Sequence, residues 1–205
     1  MKQPKLRELT EAIRAIFSER YTSNFPLEEA KVADSFRGAP EYQDEGCVGC
    51  SGCYNVCPAN AIHLEDDVSN SGGTRRIKVN LEECIYCGQC EKYCTTGEGM
   101  QLTREYALSF VGDEGPSTSV EKELVVCDAC GEVVGTKDHI LWLYSKLGGI
   151  AYSNPSLFLT YLEDLGLARR DKLNERPSHR SDRIRVLCPE CRRELTVIEE
   201  GNQNQ

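Results

Sequence analysis

The sequence predicts an α+β chain held together by metal more than by apolar bulk, and three observations carry that prediction. Twelve of the 205 residues are cysteine, and they fall into three spaced groups. Hydrophobic residues make up 40% of the chain but aromatics only 7%, a thin supply for one large core; small cores commonly need a staple. Short apolar runs bounded by Gly and Pro are interleaved with stretches of helical periodicity. The N-terminus, Met1-Lys2-Gln3-Pro4-Lys5, leads into a charged helical pattern with no apolar export region. Dense cysteines in a chain that is not exported read as metal ligands, not disulfides. No apolar run approaches the roughly 20 residues of a membrane-spanning helix.

In chain order, residues 1–46 form an N-terminal helix and an extended arm. Leu6, Leu9, Ile13, Ile16 and Phe17 fall on one stripe at helical spacing, with Lys5, Arg7, Glu8, Glu11, Arg14 and Glu19 on the other faces. An amphipathic helix of this kind docks on its own domain or a partner, or lies in a membrane interface; its mixed acidic and basic face favours docking. Pro26, Gly38, Pro40 and Gly46 then mark an arm without periodicity.

Residues 47–103 carry an internal repeat. Cys47-Val-Gly-Cys50-Ser-Gly-Cys53-Tyr-Asn-Val-Cys57-Pro58 matches C-x2-C-x2-C-x3-C-P, and Cys84, Cys87, Cys90 and Cys94 repeat the spacing 37 residues later. This is the bacterial [4Fe–4S] signature. Three cysteines at two-residue gaps wrap three corners of one cubane, and the fourth points to the other cluster. The expected ligand sets are therefore crossed: Cys47, Cys50, Cys53 and Cys94 for the first cluster, Cys84, Cys87, Cys90 and Cys57 for the second. The expected domain is a bacterial 2[4Fe–4S] ferredoxin-like fold of two pseudo-symmetric β–loop–α–β halves. Its strands fall near Ala61–Leu64, Ile77–Val79 and Met100–Leu102, with Gly72-Gly73 at the turn. Gly49, Gly52 and Gly88 let backbone N–H groups approach cluster sulfur. Tyr54, Tyr86 and Tyr93 lie beside ligands and are expected to shield the clusters from water. Thr95 stands where the first motif has Pro58 and regains an N–H donor; a donor reaching a cluster sulfur would raise its potential.

Residues 104–123 read as a connector and 200–205 as a tail. Residues 124–199 form a zinc-ribbon-like unit. Cys127-Asp-Ala-Cys130 and Cys188-Pro-Glu-Cys191 supply four thiolates, each pair able to form a knuckle. Zinc is the default ion, and a single rubredoxin-like iron is the alternative. The 57 residues between the pairs accommodate a helical insert at 139–180. One helix runs through Ile140, Leu141, Leu143, Tyr144 and Leu147 and stops at Gly148-Gly149. A second is opened by Asn154-Pro155, lined by Leu157, Phe158, Tyr161, Leu162 and Leu165, and closed by Gly166. His139 reads as a helix-start residue more readily than as a stray ligand.

The net charge of −9 argues against general nucleic-acid binding. Residues 168–193 hold nine Lys and Arg against four acids, leaving −14 on the remainder. No aromatic residues interleave these arginines, so the stretch reads as a solvated or partner-facing patch, not a nucleic-acid site. No Ser/His/Asp set, phosphate loop or general-acid pair stands out, and no catalytic residue is assigned.

With these residues in hand, the chain resembles the ferredoxin-like subunits of complex I-type enzymes, in particular the iron–sulfur subunits of formate hydrogenlyase and related membrane-bound, energy-converting [NiFe] hydrogenases. Four features carry the resemblance: Tyr21-Thr22-Ser23-Asn24-Phe25-Pro26 after the amphipathic helix; Phe36-Arg37-Gly38-Ala39-Pro40 before the first motif; Cys84-Ile85-Tyr86-Cys87-Gly88 opening the second; and the closing pairs at Cys127/Cys130 and Cys188/Cys191. The resemblance implies a non-catalytic electron-transfer subunit of an oxidoreductase complex, in its peripheral arm. Its partners would be hydrogenase or complex I-like small and large subunits, an electron-input iron–sulfur subunit and membrane subunits. Its place would be cytoplasmic, peripheral on the cytoplasmic face of the cell membrane, with the N-terminal helix on the membrane or its subunits. Two other functions compete: a free ferredoxin-type carrier for soluble oxidoreductases, and an iron–sulfur or zinc regulator that binds nucleic acid.

Overall fold

The computed structural model describes residues 5–19, 22–69, 72–112, 115–168 and 184–202. The chain divides into two compact units, residues 1–36 and 37–205. Most of the basic stretch, residues 169–183, lies outside the described residues, as does Tyr21.

The first unit contains helix α1 (Leu6–Phe17). The Glu8 carboxylate accepts the Lys5 N–H at 3.0 Å, satisfying one of the donors a helix start leaves open. Leu6, Leu9, Ile13, Ile16 and Phe17 are all exposed along its stripe.

The second unit is built on antiparallel strands. Strand β1 (Pro40–Tyr42) pairs with β4 (Met100–Leu102). The other four strands are β2 (Ile62–Ser69), β3 (Gly72–Asn80), β5 (Ser117–Val126) and β6 (Val133–Thr136), which form one sheet in the order β2-β3-β5-β6. Period-2 alternation decides which side chains go inward. On β3, Ile77 and Val79 are buried while Arg76 and Lys78 face out; on β5, Val120 and Leu124 are buried. Ile62, Ile77, Val79, Leu81, Met100 and Val120 form the main core, with Ala39 at its edge. Six of the motif cysteines pack against it: Cys47, Cys53, Cys57, Cys84, Cys90 and Cys94. The core is small and abuts the thiol sites directly.

Two strands depart from the sequence expectation. The arm read as loop contributes β1, because Pro40–Tyr42 finds its hydrogen-bond partner 60 residues away in β4. The connector read over 104–123 contains most of β5, which extends the β2–β3 hairpin into a four-stranded sheet. The Val120–Leu124 alternation was a legible strand signal there, and the preceding Gly, Pro and Ser masked it.

Short helices α2 (Gly52–Val56) and α3 (Gln89–Lys92) follow the two cysteine loops. Further on come α4 (Lys137–Leu147), a 3-10 turn at Gly148–Ser153 and α5 (Pro155–Asp164). Asn154 caps α5, its side-chain oxygen accepting from the N–H groups of Ser156 and Leu157, with Pro155 at the first helical position. Gly166 takes the positive φ that ends the element. Helix α6 (Pro189–Asn202) closes the chain. Among the described residues, no helix is long and apolar enough to cross a membrane.

Candidate metal centres

The eight motif cysteines surround two cavities. One is lined by Cys47, Cys50, Cys53 and Cys94 together with Tyr42, Ile77, Thr95, Thr96 and Met100. The other is lined by Cys84, Cys87, Cys90 and Cys57 together with Pro40, Ile62, Val79 and Leu102. Each cavity takes three cysteines from one motif and the fourth from the other. Local backbone form brings this about. Gly49 (φ 66°) and Ser51 (φ 64°) turn the first loop left-handed, and Tyr86 (φ 53°) and Gly88 (φ 76°) do the same in the second. Helices α2 and α3 then carry Cys57 and Cys94 away from their own loops.

The donor chemistry of both cavities suits a cubane. The walls are otherwise mostly apolar, and the thiols are presented to N–H donors: the Tyr86 N–H reaches Cys84 Sγ at 3.4 Å. Burial pushes the free Cys53 and Cys90 thiols up to about 11. Without metal they hold their protons, and loading must release them. Cys94 runs the other way: burial works to raise it and is outweighed by the Thr96 hydroxyl and by the N–H groups of Thr96, Gly99 and Gly97.

Among the described residues, hydroxyl groups cluster beside one set of cysteines. Thr95 Oγ1 lies 3.0 Å from Cys50 Sγ, Thr96 Oγ1 3.4 Å from Cys94 Sγ, and the Tyr42 hydroxyl 3.7 Å from Cys53 Sγ. At Thr95 the contact is made by the side-chain hydroxyl, where the sequence had suggested the regained N–H. Tyr42 was not singled out from sequence at all, since it sits in the arm, five residues before Cys47. Tyr54 and Tyr93, expected as shields, are about half exposed, and Tyr86 spends its hydroxyl on the Leu81 carbonyl.

The loop of the first cavity is braced from the far end of the sheet. The Thr136 hydroxyl donates to the Val48 carbonyl. Lys122 Nζ donates to the Asp44 carbonyl at 2.7 Å and pairs with the carboxylates of Asp44 and Asp138. Arg75, paired with Asp66, donates to the Gly49 carbonyl and to Ser51 Oγ.

The remaining four cysteines form a tighter group. The sulfurs of Cys127, Cys130, Cys188 and Cys191 all lie within 4.8 Å of one another, and Cys130 and Cys188 are 3.7 Å apart. Tetrahedral coordination with Zn–S near 2.3 Å sets sulfur–sulfur edges of about 3.8 Å, so this group fits one closed ion. Among the described residues it is the single such group, and His139 is not in it. Cys127 and Cys130 form a knuckle after β5, with Gly131 at positive φ and its N–H on the Cys127 carbonyl. The second pair differs from the expected knuckle. Cys188 stands at the start of α6, its carbonyl accepting the Arg192 N–H and Pro189 filling the first helical position. Burial holds back ionisation of Cys191, whereas at Cys127 the effect of burial is outweighed by the N–H groups of Cys188, Cys130 and Ala129. Around the site, buried Ser156 exchanges hydrogen bonds with the Leu187 backbone and accepts from Arg192 at 2.7 Å, tying α5 to the second cysteine pair.

Paired cysteine-lined cavities of this kind define a dicluster iron–sulfur protein, and the family profile described as "4Fe-4S dicluster domain" matches residues 46–98. Over 177 residues the chain is 30% identical to "Formate hydrogenlyase subunit 6" of Escherichia coli (strain K12), an alignment spanning 86% of this chain and 84% of the relative. The chain belongs to the family of that subunit. It is also 29% identical over 91 residues to "NAD(P)H-quinone oxidoreductase subunit I" of Gloeobacter violaceus, covering 43% of each chain. Among solved structures, a chain of the membrane-bound sulfane sulfur reductase, an archaeal respiratory membrane complex, aligns with a TM-score of 0.39 and 24% identity over 55% of this chain and 60% of its own.

Proposed function

We propose that this chain is an electron-transfer subunit that relays electrons through two [4Fe–4S] clusters in the peripheral arm of a membrane-bound [NiFe] hydrogenase or complex I-like oxidoreductase. The observation that carries the reading is the crossed cysteine arrangement. Cys47, Cys50, Cys53 and Cys94 hold one cluster, and Cys84, Cys87, Cys90 and Cys57 hold the other, so each motif contributes to both. Crossing ties the halves together and keeps the clusters close, which short electron hops require. The clusters supply the one-electron chemistry; the chain supplies thiolates, N–H and hydroxyl donors, and an apolar wall that limits water.

Cys127, Cys130, Cys188 and Cys191 hold a structural zinc, with their closed tetrahedron and full complement of thiolates leaving no open position. Residues 47–103 serve as the cluster domain and 124–199 as the zinc-bearing unit. The partners are the hydrogenase or complex I-like subunits on either side of the relay. The exposed stripe of α1 is the contact to membrane subunits or the membrane surface, on the cytoplasmic face.

Tagged protein purified anaerobically tests the reading. About eight iron and one zinc per chain, a cubane EPR signal on reduction, and co-purifying hydrogenase-like subunits are expected. A chain containing only zinc, or one that stays a lone monomer at native abundance, refutes it.

A further inference from the structure

The three hydroxyl contacts described above all fall on one set of cysteines. Thr95, Thr96 and Tyr42 reach Cys50, Cys94 and Cys53, three of the four sulfurs around the first cavity. Among the described residues, no hydroxyl reaches the sulfurs of Cys57, Cys84, Cys87 or Cys90. The sequence supplies a reason at one position: Pro58 follows Cys57, whereas Thr95 and Thr96 follow Cys94.

A metal-bound thiolate carries no proton, so it can only accept. The Thr95 and Tyr42 hydroxyls are therefore the donors once the cluster is bound, whereas Thr96 spends its one hydroxyl proton on the Gly46 carbonyl at 2.8 Å. A donor to a cluster thiolate draws density from the sulfur and favours the form with one more electron. The neighbouring cations act the other way, so the hydroxyl donors have to outweigh them. Arg75 and Lys122, beside the first loop, are matched by Asp66 and by Asp44 and Asp138, while Arg37 donates to the Cys87 carbonyl beside the second.

We propose that Thr95 and Tyr42 make the cluster held by Cys47, Cys50, Cys53 and Cys94 the higher-potential member of the pair, so that a single electron delivered to the chain rests there. The proposal rests on the two-cluster reading above. The step is one electron passing from one cluster to the other; no bond forms or breaks, and the two donors keep their protons. An external one-electron reductant supplies the electron, dithionite in the test. These side chains are positioning residues for the electron, setting where it dwells.

The experiment is an EPR-monitored redox titration of the anaerobically purified, cluster-loaded full chain, comparing wild type with Thr95→Val, Thr95→Ser and Tyr42→Phe. Thr95 is exposed, so valine there does not enter the core. Thr95→Val and Tyr42→Phe are each expected to lower the higher midpoint and leave the lower one in place. The expected size is about a tenfold change in the electron's distribution between clusters, equivalent to about 59 mV for one electron. Thr95→Ser restores the hydroxyl and the wild-type midpoint. If the substitutions move neither midpoint, or move the lower one, the proposal is overturned while the two-cluster reading stands. If iron content and EPR show no cubane in wild type, both fall together.

Discussion

Replacing Gly49 with alanine isolates what the sheet does for the first cluster. Gly49 is buried at φ 66°, in the left-handed region. A Cβ there would stand 2.9 Å from the Thr136 methyl, 3.0 Å from Lys122 Cγ and 3.1 Å from Lys122 Cβ. Thr136 is fully buried and β-branched, and its hydroxyl is committed to the Val48 carbonyl, so its methyl has nowhere to turn. Lys122 is held by Asp44 and Asp138 and has little freedom in its stem. An unfavourable left-handed alanine and a tight contact together cost roughly 2–5 kcal/mol. The strain falls between Cys47 and Cys50, two of the cysteines lining the first cavity and proposed to hold its cluster. Gly49→Ala is therefore expected to drop iron from about eight to about four per chain and to remove one of the two cubane signals. Adding Thr136→Ser deletes the obstructing methyl and keeps the hydroxyl, and should return part of the lost occupancy; the backbone share of the cost remains. Iron analysis and EPR spin quantification measure both. Full iron content in Gly49→Ala, or no recovery in the double variant, would refute the claim that the sheet braces this loop.

Further outcomes follow from other parts of the molecule. Thr160 Oγ1 is buried and finds no hydrogen-bond partner among the described residues, so Thr160→Val should raise stability by about 1 kcal/mol, read as a higher midpoint in thermal unfolding. Burial, with Arg75 nearby, holds His139 below its ordinary 6.5. The unfolded chain therefore takes the proton more readily, and stability should fall as pH drops below about 6.5; urea unfolding at two pH values should show this, and His139→Gln should flatten it. Cys188→Ser should lose the proposed zinc and loosen α6 while leaving the iron content unchanged, which metal analysis with hydrogen exchange will separate.

How far the sequence reached is visible residue by residue. The spacing of Cys47 through Cys57 and of Cys84 through Cys94 predicted two crossed sets, because a loop that wraps a cubane leaves only a narrow choice of ligand positions. Asn154-Pro155 and Gly166 marked the limits of α5 because capping and positive φ are settled within a few residues. Such features depend on neighbours along the chain, and a sequence records those directly. Tertiary pairing decided the rest. Pro40–Tyr42 is a strand only because Met100–Leu102 lies beside it, and β5 became part of the cluster domain's sheet only by pairing with β3. The Tyr42 hydroxyl met Cys53, and the Thr95 hydroxyl met Cys50, across 11 and 45 residues of chain. A hydrogen bond or a steric contact is fixed by distance in space, which residue spacing cannot encode once the intervening chain has folded back. Local spacing therefore determined which cysteines would line each candidate metal centre, and the packing of distant segments decided which of those centres would be hydrogen-bonded, braced and shielded.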